Sequence, residues 1–334
     1  MTMRVIIAYD GSEGAQAALD DLGRAGLGNN VEATIVSVAE VFLPPPETSL
    51  GIEEPFPAYT PPEVISARKT AMHALAQMHS VANDAKTRIQ TAFPYWKIST
   101  EVCGGSPWWE VISKAHELKS DVIVVGSHGR SALGRLFLGS VSQKILAEAQ
   151  CSVRVGRTPV NAGPSARLLL VGVDGSPGSE AAVNEVARRE WPSGVRTYVI
   201  SVEEPSVPTD LSGLTAQVAK WIRESEGAQR QWRQKIVEAS AEHLRNTGLD
   251  ASAEVKEGTA KEVLVDEAKR LRADCIFVGS TGFTNRFERF LLGSVSSAVA
   301  NRAECPVEVV RPRAENPDAG MSEEVRILGG KNGK

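Results

Sequence analysis

The chain has 334 residues, 42% of them hydrophobic and 23% charged, a composition typical of a soluble protein with two globular domains. Its formal net charge of −4 excludes a broad basic surface for nucleic acid or for an anionic membrane. No apolar run approaches the roughly 18 residues of a membrane-spanning helix, and the apolar residues near the start meet Asp10 too soon for a signal peptide.

The first predicted elements are a strand and an amphipathic helix. The strand is an unbroken apolar run that ends in Asp10-Gly11-Ser12, and such runs are typical of parallel strands covered on both faces. Ala15, Ala18, Leu19 and Leu22 follow at the spacing of one helix face, which predicts a helix packed on the core. Strands of the first half are predicted over residues 3–9, 31–38, 97–103, 121–126 and 152–156.

A proline-rich stretch separates the second predicted strand from the third. It contains Pro44, Pro45, Pro46, Pro55, Pro57, Pro61 and Pro62. Because proline interrupts a regular helix, we expect an exposed loop or an extended flap here.

The fourth predicted strand runs into a glycine-rich loop. Gly126-Ser127-His128-Gly129 is followed, after nine residues, by Gly139-Ser140, where the last helix of this half begins. Glycine lets an anion approach where a Cβ would collide, and the unpaired N–H groups of a helix N-terminus attract phosphate. Ser140 and Ser142 could add hydroxyl donors. The chain lacks both GxxxxGK[ST] and a GxGxxG after the first strand, which disfavours a P-loop or a dinucleotide site.

The second part of the chain repeats the landmarks of the first in the same order. Asp10-Gly11-Ser12 recurs 164 residues later as Asp174-Gly175-Ser176, and Gly126-Ser127 recurs 153 residues later as Gly279-Ser280. Further matches are Ser37-Val38 with Ser201-Val202, Gly105-Ser106 with Gly258-Thr259, and Leu138–Ser142 with Leu292–Ser296. Five landmarks in one order indicate a duplicated domain.

Strands of the second half are predicted over 168–173, 195–202, 251–256, 274–279 and 306–311. Strands and helices alternate in both halves, which predicts an α/β fold with two open, doubly wound parallel sheets. The repeated residues fall at the carboxyl ends of these strands, and ligands of open α/β sheets bind at that edge.

The pattern G-x2-G-x9-G-[ST], together with an upstream D-G-S strand end, resembles the ATP-binding class of universal stress proteins. The resemblance covers roughly residues 3–156 and 167–311, so the chain resembles a tandem member. It implies a Rossmann-like domain at 1–157 and a second at 167–313. The prolines and glycine within residues 158–166 predict a linker between them, and the polar, glycine-rich residues 314–334 predict a disordered tail. It also implies five-stranded sheets in the order 3-2-1-4-5, paired about a pseudo-twofold axis through their last strands.

The resemblance further implies two sites for ATP, with Asp10 and Asp174 beside the ribose or beside a Mg²⁺ ion held by the phosphates. The backbone of Val38 or Val202 would meet the adenine edge, and the glycine loops would surround ribose and phosphates. The implied residues of the first site are Asp10, Val38, Gly126, Gly129, Gly139, Ser140 and Val141. Those of the second are Asp174, Val202, Gly279, Gly282, Gly293, Ser294 and Val295. The second loop has ten residues, not nine, between Gly282 and Gly293, which weakens the expectation for that half.

Several residues keep a second interpretation. Asp10 and Asp174 could simply cap the helices that follow them, and Gly139-Ser140 could be a helix start and nothing more. His128 has Thr281 as its counterpart and no acid or nucleophile paired with it, which favours a structural or solvent-facing role. The arginines of the loops could pair with phosphate or face water; they are Arg130, Arg135, Arg286 and Arg289.

Residues that the repeat does not share predict other roles. Trp108 and Trp109 align with Lys261 and Glu262, so we expect them to pack at a helix start or at a contact surface. Four cysteines in so long a chain do not make a disulfide framework, which predicts a reducing, cytoplasmic compartment, and no CxxC spacing suggests a zinc site; they are Cys103, Cys151, Cys275 and Cys305.

The preferred functional hypothesis is a tandem ATP-binding protein that acts as a nucleotide-responsive stress regulator. A slow ATPase or phosphotransferase is the first alternative, although the sequence shows no duplicated general base, nucleophile elbow or metal-ligand cluster. A nucleotide-free interaction scaffold is the second. We expect an intrachain pseudo-dimer that could dimerise further, no nucleic-acid or membrane partner, and a protein partner that the sequence does not identify.

Overall fold

The computed structural model describes residues 2–41, 62–129, 138–158, 166–204, 216–281 and 292–312, with the backbone alone described for 62–65 and 216–226. Its strands are β1 (Met3–Ala8), β2 (Val31–Ala39), β3 (Lys97–Gly104), β4 (Val122–Gly126), β5 (Ser152–Gly156), β6 (Leu168–Gly172), β7 (Arg196–Glu203), β8 (Asp250–Glu257), β9 (Cys275–Gly279) and β10 (Val307–Val310). Its α-helices are α1 (Glu13–Asp21), α2 (Pro62–Ala92), α3 (Pro107–Glu117), α4 (Ser140–Glu148), α5 (Pro177–Arg188), α6 (Ala216–Asn246), α7 (Ala260–Leu271) and α8 (Ser294–Arg302).

The strands form one ten-stranded sheet in the order β3-β2-β1-β4-β5-β10-β9-β6-β7-β8. The described pairings within each half are parallel, and β5 pairs with β10 in the antiparallel direction. The predicted α/β class and the 3-2-1-4-5 order are therefore confirmed. The two predicted sheets join edge to edge through their last strands, because each half would otherwise expose an unpaired edge there.

The elements form where the apolar pattern predicts them. Each strand bound lies within one residue of its prediction. The unbroken apolar runs of central strands such as β4 and β6 are buried on both faces, whereas the edge strands β3 and β8 are partly exposed. In α1 the stripe of Ala15, Ala18 and Leu19 is buried, with Leu22 in the short 3₁₀ turn that follows. The helix begins where Ser12 accepts a hydrogen bond from the N–H of Ala15, at 3.2 Å.

The helices cover both faces of the sheet. On one face, a single apolar cluster under α3, α4, α7 and α8 continues through both halves. On the other face, α1 and α2 cover a cluster confined to the first half, and α5 and α6 cover one confined to the second. Among the described residues, no helix is both long enough and apolar enough to span a bilayer.

Several expectations fall outside the described residues. They are the prolines from Pro44 to Pro61, the linker over 159–165 and the tail from 314 onwards. The last proline of that stretch, Pro62, is the first residue of α2. The domain bounds therefore stay predictions.

Candidate functional site

The aspartates that follow β1 and β6 form tight turns at the carboxyl edge of the sheet. Asp10 Oδ1 accepts a hydrogen bond from the N–H of Ser12 at 2.9 Å, and Asp174 Oδ1 accepts one from Ser176 at 2.9 Å. The serines cap the two helices, since Ser179 N–H donates to Ser176 Oγ just as Ala15 does to Ser12. The alternative in which the aspartates cap these helices is therefore wrong.

Glycines bring the first helix of each half against the end of a central strand. A Cβ at Gly126 would lie 2.6 Å from the backbone nitrogen of Ala15, and one at Gly279 would lie 2.6 Å from that of Ser179. Any larger residue would push the helix away from the strand, because a Cβ cannot approach a backbone atom so closely. These two glycines therefore serve close packing of helix on strand.

In the first half, the glycine loop lies beside Asp10. A Cβ at Gly129 would lie 3.3 Å from Asp10 Oδ2, and one at Gly139 would lie 3.5 Å from the backbone nitrogen of Gly129. The N–H of Gly139 donates to the carbonyl of Ser127 at 2.8 Å and holds the start of α4 against the loop. The fold thus brings Asp10, Gly129 and Gly139 together, as predicted from their strand ends.

The start of α4 presents backbone rather than side chains. Gly139 is the N-cap residue, so no capping side chain covers the first N–H groups, and Ser140 is exposed beside them. Val141 is half-buried against the core. The expectation that Ser142 is a ligand donor is wrong, because its buried hydroxyl donates to the carbonyl of Gly126 at 2.7 Å.

The second half contains a cavity of about 430 Å³ at the same edge of the sheet. The predicted residues that line it are Asp174, Val202, Gly279, Gly293, Ser294 and Val295. Gly282 and the loop residues 283–291 that follow it lie outside the described residues, whereas Leu292 is described. A cavity is therefore present beside Gly293 although the second loop has ten residues rather than nine.

In the first half, Val38 is the counterpart of Val202 and is buried at the end of β2.

Three residues of this cavity were missed by the sequence analysis. Trp232 and Arg233 come from α6, and Glu204 follows β7. A Cβ at Gly175 would lie 3.1 Å from the Trp232 ring, so the ring covers the turn after Asp174. The repeat gave no signal for these residues, because they are not among its shared landmarks.

The two charged residues, Arg233 and Glu204, form hydrogen bonds with neighbouring elements. Arg233 Nη1 donates to Ser201 Oγ at 3.3 Å, and the buried Nε has no hydrogen-bond partner among the described residues. Glu204 accepts a hydrogen bond from the N–H of Ala260 at 2.9 Å, at the start of α7. Among the described lining residues, Arg233 is the one cationic side chain. It therefore offers the cavity donors that a ligand could use.

The remaining polar candidates show contacts within the protein. His128 Nδ1 lies 2.8 Å from Ser127 Oγ, and the His128 carbonyl accepts a hydrogen bond from Ser12 at 3.4 Å. These contacts fit the structural role favoured for this histidine. The loop arginines Arg130, Arg135, Arg286 and Arg289 lie outside the described residues. Within the described residues, no group of three or more His, Cys, Asp or Glu side chains could hold a metal ion.

The cysteines and the tryptophan pair also have defined surroundings. All four thiols are free, and burial raises the pKa of Cys151 to about 11 and that of Cys305 to about 12. Such thiols are poor nucleophiles at neutral pH. At the start of α3, Trp108 packs against the core and Trp109 is 55% exposed.

Comparison with known proteins identifies relatives along both halves. The model of the Universal stress protein family matches residues 1–157 and 166–311. A universal stress protein of Mycolicibacterium smegmatis is 32% identical over 195 residues, which are 58% of this chain and 63% of that protein, less than two thirds of its length. Another, from Mycobacterium tuberculosis, is 27% identical over 323 residues, covering 92% of this chain and 94% of the relative.

Solved structures show the same fold. The crystal structure of a universal stress protein from Archaeoglobus fulgidus covers 92% of this chain and 98% of its own, with a TM-score of 0.57 and 19% identity. Other structures of the family hold cAMP or, in Arabidopsis thaliana, AMP, and they align with TM-scores of 0.33 and 0.31. At these scores the likeness is too weak to identify the ligand of this chain.

Proposed function

The chain belongs to the universal stress protein family, and from that premise we propose that it binds an adenine nucleotide, ATP with Mg²⁺, at the carboxyl edge of each half. The cavity of the second half is the observation that carries this proposal. Its volume of about 430 Å³ falls within the range of roughly 300–1,000 Å³ that is usual for small-molecule sites. Residues chosen from the sequence alone line its wall.

The phosphates would lie at the start of α8. Gly293 is the N-cap residue and offers no side chain to satisfy the first N–H groups, so these donors can meet an anion. Ser294 is the next residue and also lines the cavity. Asp174 faces the same space and would hold Mg²⁺ together with the phosphate oxygens, since Mg²⁺ prefers oxygen ligands.

The base would lie toward β7. In the sheet order, β9 and β7 stand on either side of β6, so they are about 10 Å apart at the usual strand spacing. This separation leaves room for a ribose between phosphates at α8 and a base beside Val202. Trp232 and Arg233 would then border the base and ribose.

The first half would bind the same ligand through Asp10, Val38, Gly129, Gly139, Ser140 and Val141. The hydrogen bond from the N–H of Gly139 to the carbonyl of Ser127 supports this assignment, because Gly293, which lines the cavity of the second half, makes the equivalent bond to Ser280. We place the protein in the cytoplasm, as its cysteine pattern suggests. Its function would be regulatory, with ATP ordering the glycine loops and shifting the conformational population.

Calorimetric titration of the nucleotide-stripped protein with Mg-ATP tests the proposal. Gly293→Val adds a side chain at a residue that lines the second cavity and should remove one binding event, whereas Gly227→Val, on the exposed part of α6, should remove none. A folded, stripped protein that binds neither ATP nor ADP would refute the proposal.

A further inference from the structure

The axis that relates the two halves passes between Arg154 and Glu308. These residues are equivalent in the repeat, 154 positions apart, and they stand directly opposite each other in the antiparallel pair of β5 and β10. Arg154 Nη1 donates to Glu308 Oε2 at 3.2 Å, and both side chains are fully buried. Equivalent positions thus carry opposite charges at the centre of the junction.

Further buried charges extend this pair on both sides. Arg154 binds Asp21 of α1 through Nε at 2.7 Å and Nη2 at 3.0 Å. Glu308 accepts a hydrogen bond from Arg189 Nη1 at 2.8 Å, and Arg189 Nε binds Glu185 Oε1 at 2.9 Å. Taken in the order Asp21, Arg154, Glu308, Arg189 and Glu185, the buried charges alternate in sign, so each contacts only opposite charges along this row. We call these five residues the ionic seam.

The ionic seam is asymmetric with respect to the axis. The first half supplies Asp21 and Arg154, and the second supplies Glu185, Arg189 and Glu308. The repeat equivalent of Arg189 is Ala25, which contributes its carbonyl oxygen to Arg189 Nη1 at 2.6 Å. The two halves therefore differ in charge at the positions that meet.

Other contacts across the junction are shared by both halves. Arg157 donates to the carbonyls of Ala300 and Cys305, and its equivalent, Arg311, donates to those of Leu146 and Cys151. The apolar cluster beneath them also draws on both halves. Two copies of the same half could make these contacts, so they stabilise the junction without selecting the partner.

We propose that the ionic seam restricts the edge strand of each half to one type of partner, the edge strand of the opposite half. If two first halves met in the same register, Arg154 would face Arg154, and in two second halves Glu308 would face Glu308. A buried charge that faces a like charge is strongly unfavourable, whereas a matched pair is tolerated. A junction between two first halves, or between two second halves, is thereby excluded.

Two substitutions in the full chain place like charges opposite each other on the axis. Glu308→Arg places an arginine opposite Arg154, and Arg154→Glu places a glutamate opposite Glu308. Glu308→Gln and Arg154→Gln are the matched controls, because they remove one charge without adding a like one. Unfolding is followed in urea for all four.

The charge-reversed variants should have unfolding constants at least tenfold larger than those of their neutral controls. A charge-reversed variant that does not fold while its control does gives the same answer. Equal unfolding constants for reversed and neutral variants would overturn the proposal, since like charges would then be tolerated on the axis.

A second measurement does not depend on these variants folding. A protease site introduced within residues 159–165 allows the folded chain, otherwise unchanged, to be cut between its halves, and native mass spectrometry then identifies the complexes. The proposal expects one first half bound to one second half. Pairs made of two identical halves would overturn it.

Discussion

Arg157 and Arg311 reach across the junction in opposite directions and make equivalent contacts. Arg157 Nη1 lies 3.3 Å from the carbonyl oxygen of Cys305, and Arg311 Nη1 lies 3.3 Å from that of Cys151. Each arginine also donates to a carbonyl near the end of the last helix of the other half. The carbonyls of Ala300 and Leu146 lie in the last turns of α8 and α4, where helix geometry leaves carbonyls without intrahelical donors, so the arginines serve as caps supplied by the opposite half.

We predict that Arg157→Met and Arg311→Met destabilise the chain to a similar extent. Each change leaves buried carbonyls without their charged donors, which typically costs about 1–3 kcal/mol. Urea unfolding measures the loss. Arg270→Met is a control, because Arg270 is exposed and pairs only with Glu267 in its own helix among the contacts described. A loss confined to one of the two caps would contradict their equivalence.

Close packing of α1 on β4 leads to a second prediction. Gly126→Ala should destabilise the chain by about 1–3 kcal/mol, because the new Cβ would collide with backbone atoms of α1. Gly227→Ala is the matched control, since it lies in a helix with open space around it and should stabilise by up to about 1 kcal/mol. Equal effects of the two substitutions on the unfolding midpoint would refute the packing argument.

Glu185, one of the five residues of the ionic seam, predicts that the unfolding free energy depends on pH. Burial alone would raise the pKa of Glu185, but Arg189 and Arg188 hold it at about 2, below its ordinary value of 4.5. A carboxyl whose pKa is lowered in the folded state contributes stability above about pH 4.5 and loses it as the pH falls toward 2. The difference in unfolding free energy between wild type and Glu185→Gln should therefore be smaller at pH 3 than at pH 6, because this carboxyl loses its contribution between about pH 4.5 and pH 2. A difference that stays constant would show that Glu185 does not titrate in this way.

The cavity predicts a role for Arg233 in ligand binding. Arg233→Met should weaken binding of Mg-ATP at the second site by roughly tenfold, because a charged donor on the cavity wall is lost. Arg230→Met is the control, since Arg230 lies one turn away in α6, is exposed and pairs with Glu257. Calorimetry compares the two variants. Unchanged affinity in Arg233→Met would show that the guanidinium does not contact the ligand.

Much of the fold could be predicted from the sequence because its signals are local. Short unbroken apolar runs located the central strands to within one residue, and the repeat doubled the evidence for each landmark. The cavity residues Asp174 and Gly293 were found because they adjoin strand or helix ends, where chain order fixes their position.

Features that depend on the tertiary fold could not be predicted. Ser142 resembled a ligand donor until the position of the Gly126 carbonyl was known. Trp232 and Arg233 reach the cavity only through the path of α6 across the sheet, which no local pattern reports. The buried pair of Arg154 and Glu308 depends on the register of β5 and β10, which brings together residues 154 positions apart.

The most direct test of the nucleotide proposal counts bound ligands in each chain. Native mass spectrometry of the nucleotide-stripped protein with Mg-ATP should show two nucleotides bound to wild type. One should remain in Gly139→Val and one in Gly293→Val, and none in the double variant, with circular dichroism confirming that each protein is folded. A folded wild-type chain that binds no nucleotide even when Mg-ATP is in large excess over the protein would contradict the proposal.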